Sequence, residues 1–218
     1  MPLAIYDLDN TLIGGDSDYL WGEFLCDEGI ISDQESFQKM NDYFYHQYET
    51  GELNIFAWAE FSFKVLTDHS LDELNKLRKD FVDTKIKPIL LEKAQSCINN
   101  HKEKGDTVLV ITASNTFITK PIIEMYGIDH LLATEPEFIS GRFTGKVSGI
   151  PCFQSGKIDN LMPWLEKNKE SLIGSYFYSD SHNDLPLLEL VDNPIAVNSD
   201  KILSSEAHKN GWPVLDWR

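Results

Sequence analysis

Leu3-Ala4-Ile5-Tyr6-Asp7-Leu8-Asp9-Asn10-Thr11-Leu12 decides how this chain is read. The apolar run over residues 3–8 ends in acids and suits a buried strand. Asp7 and Asp9 stand at i and i+2, so on extended backbone their side chains leave on the same side. Two later apolar runs end in polar residues of a matching kind. Thr107-Val108-Leu109-Val110-Ile111 runs into Thr112-Ala113-Ser114, and residues 175–179 run into Asp180-Ser181-His182-Asn183-Asp184. Lys157 opens the helix between them, directly after Gly156. In open α/β sheets the chemistry collects at the carboxyl ends of the strands, and each of these groups stands at a strand end or in an adjoining helix.

Between the first of these runs and the second the texture changes completely. Trp21, Phe24 and Leu25 recur at helical spacing, followed by Phe37, Met40, Tyr43, Phe44 and Tyr48. Phe56, Ala59, Phe63 and Leu66 come after Gly51, and Leu71, Leu74, Leu77 and Phe81 after His69-Ser70. The spacing predicts three or four successive amphipathic helices with no strand among them, their aromatics forming the core of a small bundle. Beyond Pro88 helix and strand alternate: a helix over residues 89–104, the strand at 107–111, a helix at 115–126 and a short strand at 131–133. A β-ribbon at 137–147, a helix at 155–169, a strand at 175–179, a helix at 184–190, a strand at 195–197 and a helix at 201–210 complete the pattern. This predicts an α/β fold with a doubly wound parallel sheet. The first strand belongs to that sheet, so the helical block is an insertion. The expected division is a core of residues 1–14 and 86–218 with an inserted helical domain over 15–85.

Such a sheet would bring Asp7, Asp9, Asp180 and Asp184 into one small cleft. Burying several carboxylates without compensation is prohibitive. A hard divalent cation removes the difficulty, and a site of few carboxylates suits Mg²⁺, which keeps waters and takes substrate phosphate as a further ligand. Lys157, the Thr112 hydroxyl and backbone N–H groups after Asp7 would add positive potential, with Thr11, Ala113 and Ser114 as further substrate contacts. A cation and a lysine beside a hydroxyl make a receptor for a tetrahedral dianion, of which phosphate is the obvious example. The i, i+2 spacing lets one carboxylate attack phosphorus while the other handles the proton of the leaving oxygen. The metal, Lys157 and Thr112 would stabilise the equatorial oxygens.

Asp7-Leu8-Asp9-Asn10-Thr11-Leu12, Thr112, Lys157 and Asp180 with Asp184 resemble the four motifs of the haloacid dehalogenase (HAD) superfamily. The helical insertion after the first motif resembles its C1 cap, as in the phosphoserine phosphatase-like branch. Gly141-Arg142-Phe143-Thr144-Gly145-Lys146-Val147, Pro151-Cys152-Phe153 and Gly156-Lys157 are similar to the histidinol-phosphatase-like subgroup. The resemblance implies a Rossmann-like core, Asp7 as nucleophile and Asp9 as acid/base. It also implies Mg²⁺ held by Asp7, the main-chain carbonyl of Asp9 and Asp180, with Asp184 orienting the metal shell. In phosphoserine phosphatases a cap acid holds the substrate amine and a cap arginine its carboxylate. Asp16, or in second place Asp18, stands where that acid would be, and Glu60 stands where the arginine would be. Asp16 and Glu60 together would favour an amine-bearing phosphomonoester such as L-histidinol phosphate, with Trp21, Phe56 and Trp58 as candidates to pack against an imidazole. The alternatives are a phosphoserine phosphatase or a phosphotransferase of the same family. A non-enzymatic receiver-like phospho-acceptor would lack the helical insertion and has no need of Asp9.

Composition narrows the partners. Thirty-five acids against nineteen bases give a formal charge of −16, which repels nucleic acid and anionic lipid. The expected partner is a small phosphomonoester, with no nucleic acid or membrane, and the chain is expected as a monomer or homodimer. The first acid comes within seven residues, so the start lacks the pattern of a secretion signal, and no apolar run approaches the roughly 18–20 residues that span a bilayer. Cys26, Cys97 and Cys152 read as ordinary thiols of a reducing compartment, consistent with a cytoplasmic protein. Six scattered histidines show no metal-ligand spacing, and only His182 falls near the expected site.

Overall fold

Leu3, Ala4, Ile5 and Tyr6 have no solvent exposure at all, and a strand apolar on both faces belongs at the centre of a covered sheet. The computed structural model describes residues 2–218 and places it there. After β1 (Leu3–Tyr6) come four helices, α1 (Ser17–Asp27), α2 (Gln34–Glu49), α3 (Ile55–Thr67) and α4 (Leu71–Phe81). A π-helical turn (Val82–Ile86) and a 3₁₀ turn (Lys87–Ile89) lead to α5 (Glu92–Glu103) and β2 (Thr107–Asn115). Then follow α6 (Thr116–Met125), the hairpin of β3 (His130–Ile139) and β4 (Arg142–Ser148), and α7 (Ser155–Asn168). The chain ends with β5 (Tyr176–Ser179), α8 (Leu185–Leu188), β6 (Asn193–Val197), α9 (Lys201–Asn210) and β7 (Val214–Leu215).

The seven strands run in the order β4-β3-β2-β1-β5-β6-β7, all neighbours parallel except the β3–β4 hairpin. β1 pairs with β2 on one side and β5 on the other, so the crossovers diverge from it in opposite directions. This reversal opens a crevice at the carboxyl ends, and Asp7, Thr112 and Asp180 all stand beside it. Alternation of side chains splits the core in two. Ala4, Tyr6, Val108, Val110 and Tyr178 pack with α5, α6 and the helical insertion, while Leu3, Ile5, Leu109, Ile111 and Phe177 pack with α7, α8 and α9.

The insertion is anchored by local signals. Ser70 and Glu73 form a reciprocal capping box at the start of α4, and Asp16, Asp33 and Asn54 cap α1, α2 and α3. Trp21, Phe24, Phe44, Phe63 and Phe81 are buried as the bundle reading expects, whereas Tyr43 and Phe56 are exposed. The insertion leaves and rejoins the core through two strands of chain that lie side by side. Ile13 bridges to Leu90, Gly14 N–H donates to Ile89 at 2.8 Å, and Leu91 N–H to Leu12 at 3.2 Å. The separate short strand and ribbon expected at 131–133 and 137–147 are one long strand and its partner, and the helix expected at 184–190 is a 3₁₀ turn followed by the four residues of α8. Among the described residues no helix is long and apolar enough to cross a membrane, and the three cysteines are free thiols.

Candidate active site

Asp7 N–H donates to Tyr178 O at 2.9 Å, the last link that ties the first motif to the sheet. Beyond it the chain coils: Leu12 N–H returns to Leu8 O at 2.8 Å, and Asn10 takes a left-handed φ of 55° that its short polar side chain tolerates. Lys157, fully buried at the start of α7, donates to Asp7 Oδ1 at 2.7 Å and to both oxygens of Asp184 at 2.7 and 2.8 Å. Ser179 Oγ adds a bond to Asp184 Oδ2 at 2.7 Å, and Thr11 Oγ1 donates to Asp180 Oδ1 at 3.2 Å. Asp9 is gripped separately. Ser17 N–H donates to its Oδ1 at 2.6 Å, while Thr112 Oγ1 and Ser114 Oγ donate to its Oδ2 at 3.2 and 2.7 Å.

The charge balance is uneven. Asp7, Asp180 and Asp184 share one ammonium, so the buried group is anionic by two charges. Burial first, then the neighbouring Asp184 and Asp9, push the Asp7 carboxyl up to about 7 in spite of Lys157. Burial, then Asp7 and Asp184, hold Asp180 well above the usual carboxylate range. For Lys157 the attraction of Asp184 and Asp7 outweighs burial and keeps the ammonium protonated. Uncompensated buried carboxylates are the donor chemistry of a hard divalent cation. Among the described residues no group of three or more His, Cys, Asp or Glu side chains is disposed to hold a metal by itself. The reason is visible in the hydrogen bonds: Asp9 is turned to Ser17, Thr112 and Ser114, and Asp184 to Lys157. Asp7 and Asp180, which repel one another, keep the carboxylate chemistry that a hard divalent cation takes.

A cavity opens from Asp7, Asp9, Thr112, Ala113 and Ser114 into the helical insertion. Its far wall is Asp16, Asp18, Tyr19, Asn41, Phe44, Tyr45, Tyr48, Leu53, Ile55 and Trp58. Among the described residues no lysine, arginine or histidine lines it. Burial, then Asp9, pushes Asp16 up to about 8, and burial, then Asp16, raises Asp18 well above its ordinary value. Several expected contacts fall elsewhere. Glu60 is exposed and faces the groove between α3 and the β4 segment Thr144–Val147, because its place in the register of α3 turns it away from the cavity. Thr11 spends its hydroxyl on Asp180 and does not line the cavity. Trp21 belongs to the core, Phe56 to the surface, and Trp58 alone of the three reaches the cavity. His182 is held by Asp200 through its N–H and its Nδ1, and does not line it either.

Sequence reading missed the residues that join insertion to core. Asn183 Nδ2 donates to Tyr48 O at 2.9 Å, Gln154 Nε2 to Asn183 Oδ1 at 3.0 Å, and Asn115 Nδ2 to Asp18 Oδ1 at 2.7 Å. The position of Asn115, last in a strand and first before a helix, was the one available clue to its importance.

Residues 4–189 match the model of the haloacid dehalogenase-like hydrolase family. The chain is 40% identical, over 99% of both sequences, to a histidinol-phosphatase of Neisseria meningitidis serogroup C (strain 8013). It superposes with TM-score 0.94 on a crystal structure of a protein of unknown function from Bordetella pertussis Tohama I, at 40% identity and covering 100% of this chain and 99% of that one. A phosphoserine phosphatase structure holding an analogue of the phospho-aspartyl intermediate shares the fold, with TM-score 0.72 at 19% identity over 100% of this chain and 93% of that one. The chain belongs to the haloacid dehalogenase-like hydrolase family, as an enzyme of its phosphatase kind.

Proposed function

We propose that this protein hydrolyses a small phosphomonoester whose alcohol carries an amine, histidinol phosphate being the named candidate, through a phosphorylated Asp7. The helical segment 15–85 acts as a cap over the core of residues 1–14 and 86–218. The observation that carries the reading is the cavity itself: two carboxylates at its base, further acids and aromatics on its wall, and no basic side chain to receive a substrate carboxylate. The 40% identity to a histidinol-phosphatase supports the same substrate class.

In the proposed sequence a carboxylate oxygen of Asp7 attacks phosphorus, and Asp9 gives its proton to the departing alcohol oxygen. Asp9, left as a carboxylate, then takes a proton from water, whose oxygen displaces Asp7 and releases inorganic phosphate. Thr112 and Ser114 hold Asp9 in the orientation both steps need, since both hydroxyls already donate to it. Lys157 fixes Asp7 and offsets its charge. Phosphatases of this family in general use Mg²⁺. Here Asp7, Asp180 and the Asp9 carbonyl would hold it, with Asp184 acting through Lys157, and it would supply positive charge to offset that of the phosphoryl group. The test is a comparison of kcat/KM in Mg²⁺ for histidinol phosphate, phosphoethanolamine, glycerol phosphate and phosphoserine. The amine esters without a carboxylate should lead by about tenfold or more, the scale of one charge-assisted contact. A preference for phosphoserine overturns the reading.

A further inference from the structure

Asp18 holds a conflict that the proposed chemistry leaves unresolved. It is the second residue of α1, 8% exposed, and lines the cavity. Its Oδ1 accepts from Asn115 Nδ2 at 2.7 Å, but its Oδ2 has no hydrogen-bond partner. Only one other buried side-chain atom among the described residues is in that condition, the neighbouring Ser17 Oγ. A buried carboxylate oxygen without a donor is costly, and folds retain such groups where something outside the fold satisfies them.

The orientation of this oxygen is fixed. Asn115 is itself tied down: its Oδ1 accepts from Ile118 N–H at 3.2 Å as the cap of α6, and its carbonyl accepts from Thr119 Oγ1 at 2.8 Å. The clamp on Oδ1 therefore sets where Oδ2 points. Asp16 is half-committed in the same way, its Oδ1 accepting from Tyr19 N–H at 2.8 Å. Both acids line the cavity, and of the two it is Asp18 whose second oxygen is left without a donor. The cations within the fold are engaged elsewhere, Lys157 by Asp7 and Asp184, and Arg78 by Phe117 O and Asn75. Tyr45, Tyr48 and Trp58 provide aromatic faces on the same wall, which favour a flat or cationic nitrogen group.

We infer that Asp18 is a specificity-determining residue whose Oδ2 receives a second nitrogen donor of the leaving group, so that the preferred ester carries two nitrogen functions on its alcohol, one for Asp16 and one for Asp18. This rests on the amine-ester reading and narrows it. An amino alcohol with one nitrogen satisfies only one of the two acceptors, and an alcohol with a carboxylate meets repulsion from both.

The experiment measures kcat and KM for histidinol phosphate, which has an amine and an imidazole, and for phosphoethanolamine, which has an amine alone. Wild type is compared with Asp18→Asn, which keeps the acceptor for Asn115 and removes the charge. The expected result is a loss in kcat/KM for histidinol phosphate at least tenfold greater than for phosphoethanolamine, carried mainly by KM. Equal losses on the two esters, as a purely structural role or a water held between Ser17 and Asp18 would give, overturn the inference, and so does no loss. Should the variant fold poorly, wild type decides: histidinol should inhibit competitively at least tenfold better than ethanolamine, and equal inhibition overturns the assignment. Failure of the amine-ester reading is separately visible as a wild type that prefers glycerol phosphate to both amine esters, which removes this inference with it.

Discussion

Asp7 illustrates how much a single residue can be asked to do. It terminates the central strand, accepts from a buried lysine, and bears a carboxyl that burial pushes up to about 7. Replacing it by Asn removes charge from a crowded anionic group while keeping the shape and one acceptor for Lys157. Asp7→Asn should therefore melt no lower than wild type in metal-free buffer, while turnover of p-nitrophenyl phosphate with Mg²⁺ falls by about 10³-fold or more, as loss of a nucleophile does. Wild-type turnover in this variant would remove Asp7 from the nucleophile's position. At this scale the motif residues were legible because strand ends and the helices that follow them impose a regular address on chemistry: Asp7, Thr112 and Asp180 follow apolar runs and Lys157 opens a helix. Glu60 could not. Its placement depended on the rotational register of α3 against the core, which an ungapped spacing across a helical insertion does not determine, and α3 turns Glu60 outward. Asp18 was visible as an acid but not as an orphan, since its unmet oxygen follows from where Asn115 stands.

Elements position these residues through close backbone packing. α7 delivers Lys157 to the site from a turn in which Gly156 N–H donates to Phe153 O at 2.8 Å and Lys157 N–H to Gln154 O at 3.1 Å. Gly156 sits so tightly on Pro151 that a Cβ there would overlap the Pro151 carbonyl oxygen, a backbone atom with no freedom to yield. Gly156→Ala should displace the start of α7, costing about 3 kcal/mol or more and lowering kcat by pulling Lys157 from Asp7. Gly141→Ala is the contrast: its φ of 83° makes the substitution strained, by about 1 kcal/mol, but no atom lies near the new methyl and kcat should hold. Equal melting points for the two variants would refute the close-approach account. The helices were the most readable elements, because Leu71, Leu74, Leu77 and Phe81 repeat at a period only a helix satisfies. The long β3 was not. Its first half pairs with β2 and its second with β4, and Pro136 falls in the second half, where a single neighbour tolerates a residue without an N–H. In sequence the two pieces read as a short strand at 131–133 and a ribbon at 137–147, and the continuity appears only once the pairing partners are known.

At the scale of the molecule, charge and stability are coupled through the site. The chain carries a formal −16, and one buried anionic group, Asp7, Asp180 and Asp184 around one lysine, lies in the core beneath a helical insertion tied down by Asn183, Gln154 and Asn115. A cation bound by the folded protein and not by the unfolded chain must stabilise it by mass action, by about 2.7 kcal/mol at a hundred times Kd. For a chain of this size each kcal/mol moves Tm by about 2–4 °C, so saturating Mg²⁺ should raise Tm by roughly 5–10 °C over a chelator control. General screening of the acidic surface would also raise Tm, but monovalent salt at matched ionic strength would reproduce it. Asp180→Asn separates the two. Asp180 has the repulsion of Asp7 and Asp184 to lose, which outweighs the attraction of Lys157, and keeps an acceptor for the Thr11 hydroxyl, so the variant should melt at or above wild type without metal and lose most of the Mg²⁺ response. A full response in that variant would place the ion somewhere other than between Asp7 and Asp180.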